Sequence, residues 1–406
     1  MLPISRFILR VAIALLATIP VAIAAQNPPL RVISKMELEY AEPFSCISGI
    51  RELSDGRIIV SDVREKTVQL IDLKRGTATK IGREGQGPGE WSTPQGVFAV
   101  SGDTSLLWDP QNRRFLTILP NGTVGKEVTV DLGGGARGAI MTSLPRGTDA
   151  MGRLYYQGSG FVFNEGQAPT QLDSAPILRY DRHSAKIDTV SYIQLPKSDI
   201  QTSSPAPGNV QIRMTGPNPF APQRAWAVAP DGRIAFVTPE PYRVEWLSPA
   251  RTRAGGPEIR YDRLKLTEAD KAPVQTPNCG VTISFGDGGG AGGRGTLQAT
   301  TRAVVGGGGP GGAPPRTDYP EYKPPFLPRY GAPIVAPNGE LWVGRSRGPN
   351  DPPIYDVFDA RGQLTGRVQL PKGTRVSGFG KGTLYLFRMD DDDLVYLQRY
   401  RLDQNR

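Results

Sequence analysis

The chain has 406 residues, and its 48 Lys and Arg residues outnumber its 39 Asp and Glu residues, giving a net charge of +9. It contains one histidine and two cysteines, so zinc sites that need two or three histidines are excluded. The basic residues are scattered rather than clustered. We therefore expect no nucleic-acid binding, and we interpret the charge as favouring acidic ligands or anionic surfaces.

The first 24 residues have the organisation of a secretory signal. Arg6 and Arg10 lie at the start of an apolar run that ends in "IPVAIAAQ", and the small residues Ala22 and Ala24 predict cleavage after Ala24. An uncleaved membrane anchor is the alternative, because residues 8–25 are just long enough to span a bilayer. With cleavage, we expect a periplasmic or extracellular protein with no integral membrane segment.

The two cysteines, Cys46 and Cys279, lie far apart in the sequence. An oxidising compartment would allow them to pair, which would tie the start of the folded region to a distant loop. Two free thiols are the equally weighted alternative. The sequence therefore leaves their pairing open.

A unit of alternating turns and short β-prone runs recurs six times from residue 54 onwards. The copies are Ser54–Gly76, Gly102–Gly122, Met151–Lys186, Pro230–Ala250, Pro337–Gly362 and Lys381–Leu402. Each run alternates or is continuously apolar, and Gly, Pro, Asn or Asp bounds it, which indicates strands. A sandwich would not explain the repeated turn chemistry, whereas the blades of a β-propeller would. We predict an all-β, six-bladed β-propeller of four-stranded antiparallel blades over residues 30–406.

The last copy supplies only three strands before the chain ends. We therefore expect Leu30 to Leu38, "LRVISKMEL", to add the fourth strand of the last blade. Such a strand would close the ring and leave no free sheet edge there.

The stretch "KIGREGQGPGEW", Lys80 to Trp91, is rich in glycine but does not match a nucleotide site. A P-loop requires lysine after its second glycine, but Pro88 follows Gly87, and a dinucleotide fold would need a glycine where Glu90 stands. In a propeller, this stretch would carry the chain from the outer strand of one blade to the inner strand of the next, where glycine permits positive φ angles. We expect Trp91 to pack between blades 1 and 2, and Glu90 to accept backbone N–H groups.

Residues 46–130 resemble the NHL-type repeat. That pattern combines a glycine-rich stretch, an acidic residue with an aromatic one, Pro-x-Gly-Val, a strand ending in Asp, and Asn-x-Arg. Its positions here are Gly85, Gly87, Gly89, Glu90, Trp91, Pro94, Gly96, Val97, Trp108, Asp109, Asn112 and Phe115. With its signal segment and the tail "LYLFRMDDDDLVYLQRYRL", the chain resembles secreted bacterial six-bladed propellers of uncharacterised function. The resemblance implies a fold and no activity.

The resemblance places ligand and partner sites on the face that carries the outer-to-inner crossings. The charged residues that we expect on that face are Arg64, Lys66, Arg83, Asp109, Arg113, Arg114, Arg345, Arg347 and Asp390 to Asp393. We take Arg64, Arg83, Asp109, Arg113, Arg114, Arg345 and Arg347 as candidate ligand-binding residues, since arginine pairs can clamp a carboxylate or phosphate. The alternative is that Asp109 caps its own turn and the arginines are solvated.

Two insertions reach the same face, at about Pro196 to Gln223 and at residues 267–330. Gly280 to Gly312 contains fourteen glycines, so we expect the second insertion to be flexible, because little apolar surface offsets its ordering entropy. Two interpretations of this insertion remain: a mobile lid over the central funnel, and a surface insertion that the fold tolerates.

Catalytic patterns are sparse. A Ser-His-Asp triad would need His183, which lies in a predicted hairpin turn on the opposite face, and no G-x-S-x-G elbow is present. The acidic run Asp390 to Asp393 could bind Ca²⁺, but such a run is usually a solvated turn. We predict no cofactor and no catalytic or metal residue.

The sequence thus favours a monomeric binding scaffold whose loop face binds a protein or a small anionic ligand. The alternatives are a metal-dependent lactonase or esterase with its site in the central funnel, and a surface assembly protein that docks other proteins on its loops.

Overall fold

The structure is a computed structural model that describes residues 28–129, 145–162, 170–206, 209–215, 218–271, 318–327 and 331–402. The predicted signal at residues 1–24 lies outside these ranges. No helix within them is long and apolar enough to cross a membrane.

Six blades, each built on four antiparallel strands, confirm the predicted propeller, and one of the six sheets gains a fifth strand. In chain order, the strands of blades 1 to 3 are Ile47–Glu52, Ile58–Asp62, Thr67–Asp72 and Thr77–Ile81; Val97–Ala99, Ser105–Asp109, Arg114–Ile118 and Val124–Thr129; Gly147–Thr148, Leu154–Gln157, Ser174–Asp181 and Lys186–Gln194. Those of blades 4 to 6 are Ala225–Val228, Ile234–Pro239, Tyr242–Leu247 and Arg253–Gly255; Ile334–Val335, Leu341–Gly344, Ile354–Phe358 and Leu364–Gln369; Thr374–Phe379, Thr383–Met389 and Val395–Arg401, completed by Met36–Glu39.

The apolar runs of the sequence become strands because both faces of each blade are covered by its neighbours. All five residues of Ile58–Asp62 and of Ser105–Asp109 are buried. The described residues form six apolar clusters, one between each pair of neighbouring blades, the last joining blade 6 to blade 1. The hydrophobic core is therefore a closed ring of inter-blade interfaces.

The N-terminal segment closes the ring, as predicted, but it does so with only its second half. Met36–Glu39 pairs antiparallel with Val395–Arg401 of blade 6. Leu30–Val32 instead pairs in parallel with Leu364–Gln369, adding a fifth strand to blade 5. The segment therefore fastens two blades rather than one.

The two faces of the ring differ in their connections. The crossover face carries the crossings from outer strand to inner strand and the hairpins between second and third strands. The opposite face, here called the hairpin face, carries the remaining hairpins, including the turn that contains His183.

Several short elements stand on the crossover face. They are the ladders Arg83–Glu84 with Glu90–Trp91, Phe161–Val162 with Thr170–Gln171, Asp199–Ala206 with Asn209–Thr215, and Leu264–Lys265 with Tyr322–Lys323, and the helix Glu268–Lys271. The helix and the strand Tyr322–Lys323 lie in the 267–330 insertion, and Leu264–Lys265 directly precedes it. There Lys323 Nζ donates to Asp270 Oδ1 at 2.7 Å, with both side chains at most 3% exposed. Both ends are thus packed into the fold, while residues 272–317 and 328–330 lie outside the described ranges.

Cys46 is fully buried at the start of blade 1 and is disulfide-bonded. The other cysteine of the chain, Cys279, lies outside the described residues. The free-thiol alternative is therefore wrong for Cys46.

Candidate functional site

The glycine-rich crossing from blade 1 to blade 2 has the structural role predicted for it. Trp91 is fully buried in the cluster between these blades, and its Nε1 donates to the carbonyl of Lys66 at 2.9 Å. Glu90 Oε2 accepts the N–H of Gly87 at 2.9 Å, and Oε1 accepts Arg83 Nε at 2.7 Å. These bonds lower the pKa of Glu90, the Gly87 N–H contributing most. The predictions for Trp91 and Glu90 are confirmed.

Asp109 holds this crossing in place from within the blade. Its side chain is fully buried, and its oxygens accept the N–H groups of Ser92 at 3.2 Å and Thr93 at 3.1 Å and the amide of Asn112 at 2.7 Å. Three donors and full burial leave this carboxylate no surface for a ligand. It ties the crossing to the blade rather than only capping its own turn.

Three of the candidate arginines also bind within the protein. Arg114 donates to Glu127 at 2.7 Å and to the carbonyl of Glu90 at 2.8 Å. Arg345 donates to the buried carboxylate of Asp356 at 3.1 Å. Arg347 lies 3.6 Å from an oxygen of Asp351.

The candidate residues do not converge on one site. Arg64 is in a hairpin of blade 1, and Arg113 is in the corresponding hairpin of blade 2, where both are exposed. Arg345 and Arg347 follow the second strand of blade 5, and blade 5 stands opposite blade 2 in a ring of six. Only Arg83, Asp109 and Arg114 come together, around the glycine-rich crossing.

A different part of the crossover face carries an open cleft of about 110 Å³, where blades 3 and 4 meet the start of blade 5. Two cationic residues line it, Arg146 and Arg224, together with three amide side chains, those of Gln157, Gln194 and Gln223. The rest of the lining is apolar and consists of Ile193, Leu195, Pro196, Ala225, Trp226, Ala332 and Pro333. None of these lining residues is acidic. We call this site the arginine cleft.

The fold places the two arginines at equivalent positions. Arg146 and Arg224 each directly precede the inner strand of their blade, and the N–H of Arg146 donates to the carbonyl of Tyr155 at 2.8 Å. This bond extends the pairing of blade 3 to the edge of the cleft and fixes the backbone from which the guanidinium extends. Trp226 Nε1 donates to Gln157 Oε1 at 3.0 Å, which joins blade 4 to blade 3 beneath the cleft.

Asn218 builds the turn that leads to Arg224. Its Oδ1 accepts the N–H of Phe220 at 2.9 Å, and its carbonyl accepts the side-chain amide of Gln223 at 3.2 Å. Its Nδ2 donates to the carbonyl of Asp318, at the returning end of the long insertion. The end of the insertion therefore supports one wall of the arginine cleft.

The two arginines have no carboxylate partner among the described residues. Arg146 is accessible to solvent because the cleft is open. Protein nevertheless surrounds it closely enough that desolvation lowers the pKa of its guanidinium, and no neighbouring charge contributes to this shift. Arginine remains protonated at neutral pH, so the described lining of the cleft carries two positive charges and no negative charge.

The mouth of the central channel has the same sign of charge. We define the mouth as the first two residues of each inner strand and the two residues before them. Its charged members are Arg146, Arg224, Lys372 and Arg375, and it contains no acidic residue. The mouth, as defined by these described residues, therefore carries four cationic side chains.

Other candidate features among the described residues have structural explanations. A cavity of about 20 Å³ next to Tyr155 and Gly232, towards the hairpin face, has room for about one or two waters. Asp390 accepts the N–H groups of Asp392 and Leu394 within its own turn, as expected for a solvated acidic hairpin. Within the described ranges, no group of three His, Cys, Asp or Glu side chains is placed to hold a metal ion.

No known protein family matches the chain, and no curated protein matches it. Solved structures with a similar fold include regucalcin, a calcium-binding protein from Agrobacterium tumefaciens, which is 12% identical, with 92% of this chain and 96% of that chain covered and a TM-score of 0.40. A member of the DUF4221 family from Bacteroides vulgatus is 8% identical over 91% of this chain and 97% of that chain, with a TM-score of 0.47. A gluconolactonase from Xanthomonas campestris is 11% identical over 92% and 95%, with a TM-score of 0.40. At these values the similarity concerns the fold alone.

Sequence reasoning missed Arg146 and Arg224 because it searched the hairpins for charge. The signal that would have found them is position: each directly precedes the inner strand of its blade, in "PRGT" and "QRAW". In a propeller that position faces the channel mouth.

Proposed function

We propose that this protein is a binding scaffold that holds a small anionic ligand in the arginine cleft on its crossover face. The observation that carries the proposal is the pair Arg146 and Arg224, two guanidinium groups that line one cleft with no carboxylate among its lining residues. A guanidinium presents planar donors that match a carboxylate or phosphate, and such pairs are stronger when partly desolvated.

The contrast with the other arginines of the face supports this choice. Arg114 and Arg345 are held by Glu127 and Asp356, so binding an anion there would require breaking an existing ion pair. Arg64 and Arg113 lie on hairpin tips, whereas Arg146 and Arg224, which are also exposed, line a concave cleft. Of these six arginines, Arg146 and Arg224 share a cleft that also offers amide side chains.

We further propose that the protein acts in the periplasm or outside the cell, and that its blades belong to the NHL type. The secretory organisation of residues 1–24 supports the first proposal. The Pro-x-Gly-Val and Asn-x-Arg positions, together with the confirmed roles of Glu90 and Trp91 in the crossing, support the second.

A direct test is calorimetric titration of the full mature chain with acetate and with inorganic phosphate at low ionic strength, where screening is weakest. We expect the double variant Arg146→Gln, Arg224→Gln to bind whichever anion binds the wild type at least about tenfold more weakly, as expected for loss of charge-assisted hydrogen bonds. Arg64→Gln is the matched control, because it removes an exposed arginine from the same face. Unchanged anion binding by the double variant would refute the proposal.

The hydrolase alternative stays a prediction. A metal-dependent lactonase would need oxygen ligands converging near the channel, but the described mouth contains cations and no carboxylate. Lactone hydrolysis that depends on Ca²⁺ and survives the double arginine substitution would favour that alternative.

A further inference from the structure

Some of the groups that line the arginine cleft need a partner that a simple inorganic anion does not provide. The side-chain Nε2 of Gln223 is already engaged with the carbonyl of Asn218 at 3.2 Å. Its Oε1 therefore remains as an acceptor on a residue that lines the cleft. At neutral pH sulfate is an acceptor only, so it offers this oxygen no donor, and phosphate can offer only an O–H group. A ligand that also carries an N–H group would satisfy it.

One wall of the cleft is apolar and rigidly held. Ile193 is 3% exposed, and Pro333 is also buried. Leu195 is fixed by its N–H bond to the carbonyl of Asp173 at 2.9 Å. Leu195, Pro196 and Ala332 are half-buried and line the cleft, so their apolar surface gains from covering by an apolar group and gains nothing from a bare oxyanion.

The size of the cleft sets the scale of the ligand. A water needs roughly 10–15 Å³ by the same measure, so about 110 Å³ holds on the order of eight to ten heavy atoms. This is slightly fewer than the twelve heavy atoms of N-acetyl-L-leucine, so one acylated amino acid, or the last residue of a peptide, fills the cleft. Because the cleft opens onto the crossover face, the remainder of a longer ligand would extend into solvent.

We infer that the arginine cleft recognises a carboxylate with an adjacent amide N–H and an apolar side chain, the chemistry shared by an N-acyl amino acid and the C-terminus of a peptide. This inference rests on the proposed function. The carboxylate lies against Arg146 and Arg224, the amide N–H donates to Gln223, and the apolar group covers Leu195 and Pro196. Binding is non-covalent.

The test compares three related probes by calorimetric titration of the full mature chain. N-acetyl-L-leucine carries all three features, 4-methylpentanoate lacks the amide, and N-acetyl-L-leucinamide lacks the carboxylate. We expect N-acetyl-L-leucine to bind about fivefold more tightly than 4-methylpentanoate, the scale of one net hydrogen bond. The uncharged amide should show no measurable binding. In Gln223→Leu the preference for N-acetyl-L-leucine over 4-methylpentanoate should disappear.

A tripeptide that ends in a free C-terminal leucine distinguishes the two ligand sources. Binding of the tripeptide together with N-acetyl-L-leucine indicates a peptide terminus, and binding of N-acetyl-L-leucine alone indicates a small molecule; both outcomes support the inference. Equal binding of N-acetyl-L-leucine and 4-methylpentanoate, or tighter binding of inorganic phosphate than of either, would overturn it and leave the anion-binding function standing. Failure of every anion to bind would remove the proposed function as well.

Discussion

The crossing from blade 1 to blade 2 and the crossing from blade 3 to blade 4 make the same topological connection but use their charges differently. In the first, Arg83 pairs with Glu90, and Arg114 of blade 2 donates to the carbonyl of Glu90, so these charged groups are engaged within the protein. In the second, Arg224 ends the crossing facing an open cleft that has no acidic lining residue. Charge on a loop is therefore weak evidence of function, and charge without a partner is stronger evidence.

The largest expected effect concerns the first crossing. Trp91→Ala should lower the free energy of unfolding by about 3–5 kcal/mol, because it removes a fully buried indole between two blades and leaves a cavity. Denaturant unfolding measures this loss. Tyr192→Ala is the control, since Tyr192 is 62% exposed and should cost less than about 0.5 kcal/mol. Equal losses in the two variants would contradict the structural role of the crossing.

Removing the acid that anchors this crossing should have a smaller effect. Asp109→Ala leaves the N–H groups of Ser92 and Thr93 without their acceptor, and we expect a loss of about 2–3 kcal/mol. Asp231→Ala provides the comparison, because Asp231 only bonds Arg233 in an exposed turn and should contribute less than about 1 kcal/mol. A loss of stability at Asp109 no larger than at Asp231 would show that the crossing does not depend on its hydrogen bonds to Asp109.

The N-terminal closing strand should make stability depend on pH. Burial raises the pKa of Glu37, but the bond from Arg401 and the charges of Arg399, Arg401 and Lys74 outweigh burial, so its pKa is lowered in the folded protein. A lowered carboxyl pKa contributes stability above the unfolded value of about 4.3, which is lost as the pH falls through the folded value.

We therefore expect Glu37→Gln to be less stable than wild type by roughly 0.5–1 kcal/mol at pH 7. The difference in melting temperature should shrink progressively below about pH 4. A difference that stays constant down to pH 3 would mean that Glu37 stabilises the closure by packing and not by charge.

The smallest expected effect is again at the glycine-rich crossing. Arg83 is 78% exposed although it lies 2.7 Å from Glu90, so Arg83→Gln should change stability by less than about 0.5 kcal/mol. Thermal melting in low and high salt checks this expectation. A loss above 1 kcal/mol would place Arg83 among the anchors of the crossing.

The fold was predictable from the sequence because each blade repeats its own turn chemistry. The turns "SDGR" and "PDGR" place Gly56 and Gly232 at φ angles of +85° and +81°, between the first and second strands of blades 1 and 4. Because neighbouring blades bury both faces of each blade, the strands that follow these turns are apolar. The division of the N-terminal segment between two blades was not predictable, because three residues at Leu30–Val32 pair in parallel and carry no turn signal.

The arginine cleft was harder to predict. Arg146 and Arg224 lie in different blades, and nothing in the local sequence of either shows that the other is near. Conversely, Arg113 and Arg114 are adjacent in the sequence, but the first is exposed on a turn and the second is 11% exposed and paired with Glu127. Ring closure, and not sequence proximity, decides which charges share a site.

The most direct test of the arginine cleft is an anomalous difference map from a crystal of the protein soaked in selenate, an oxyanion that arginine pairs bind and that scatters anomalously. Our account predicts the strongest peak between the guanidinium groups of Arg146 and Arg224, and its disappearance in Arg146→Gln, Arg224→Gln. Peaks confined to exposed arginines such as Arg64 and Arg113, with none in the cleft, would contradict it.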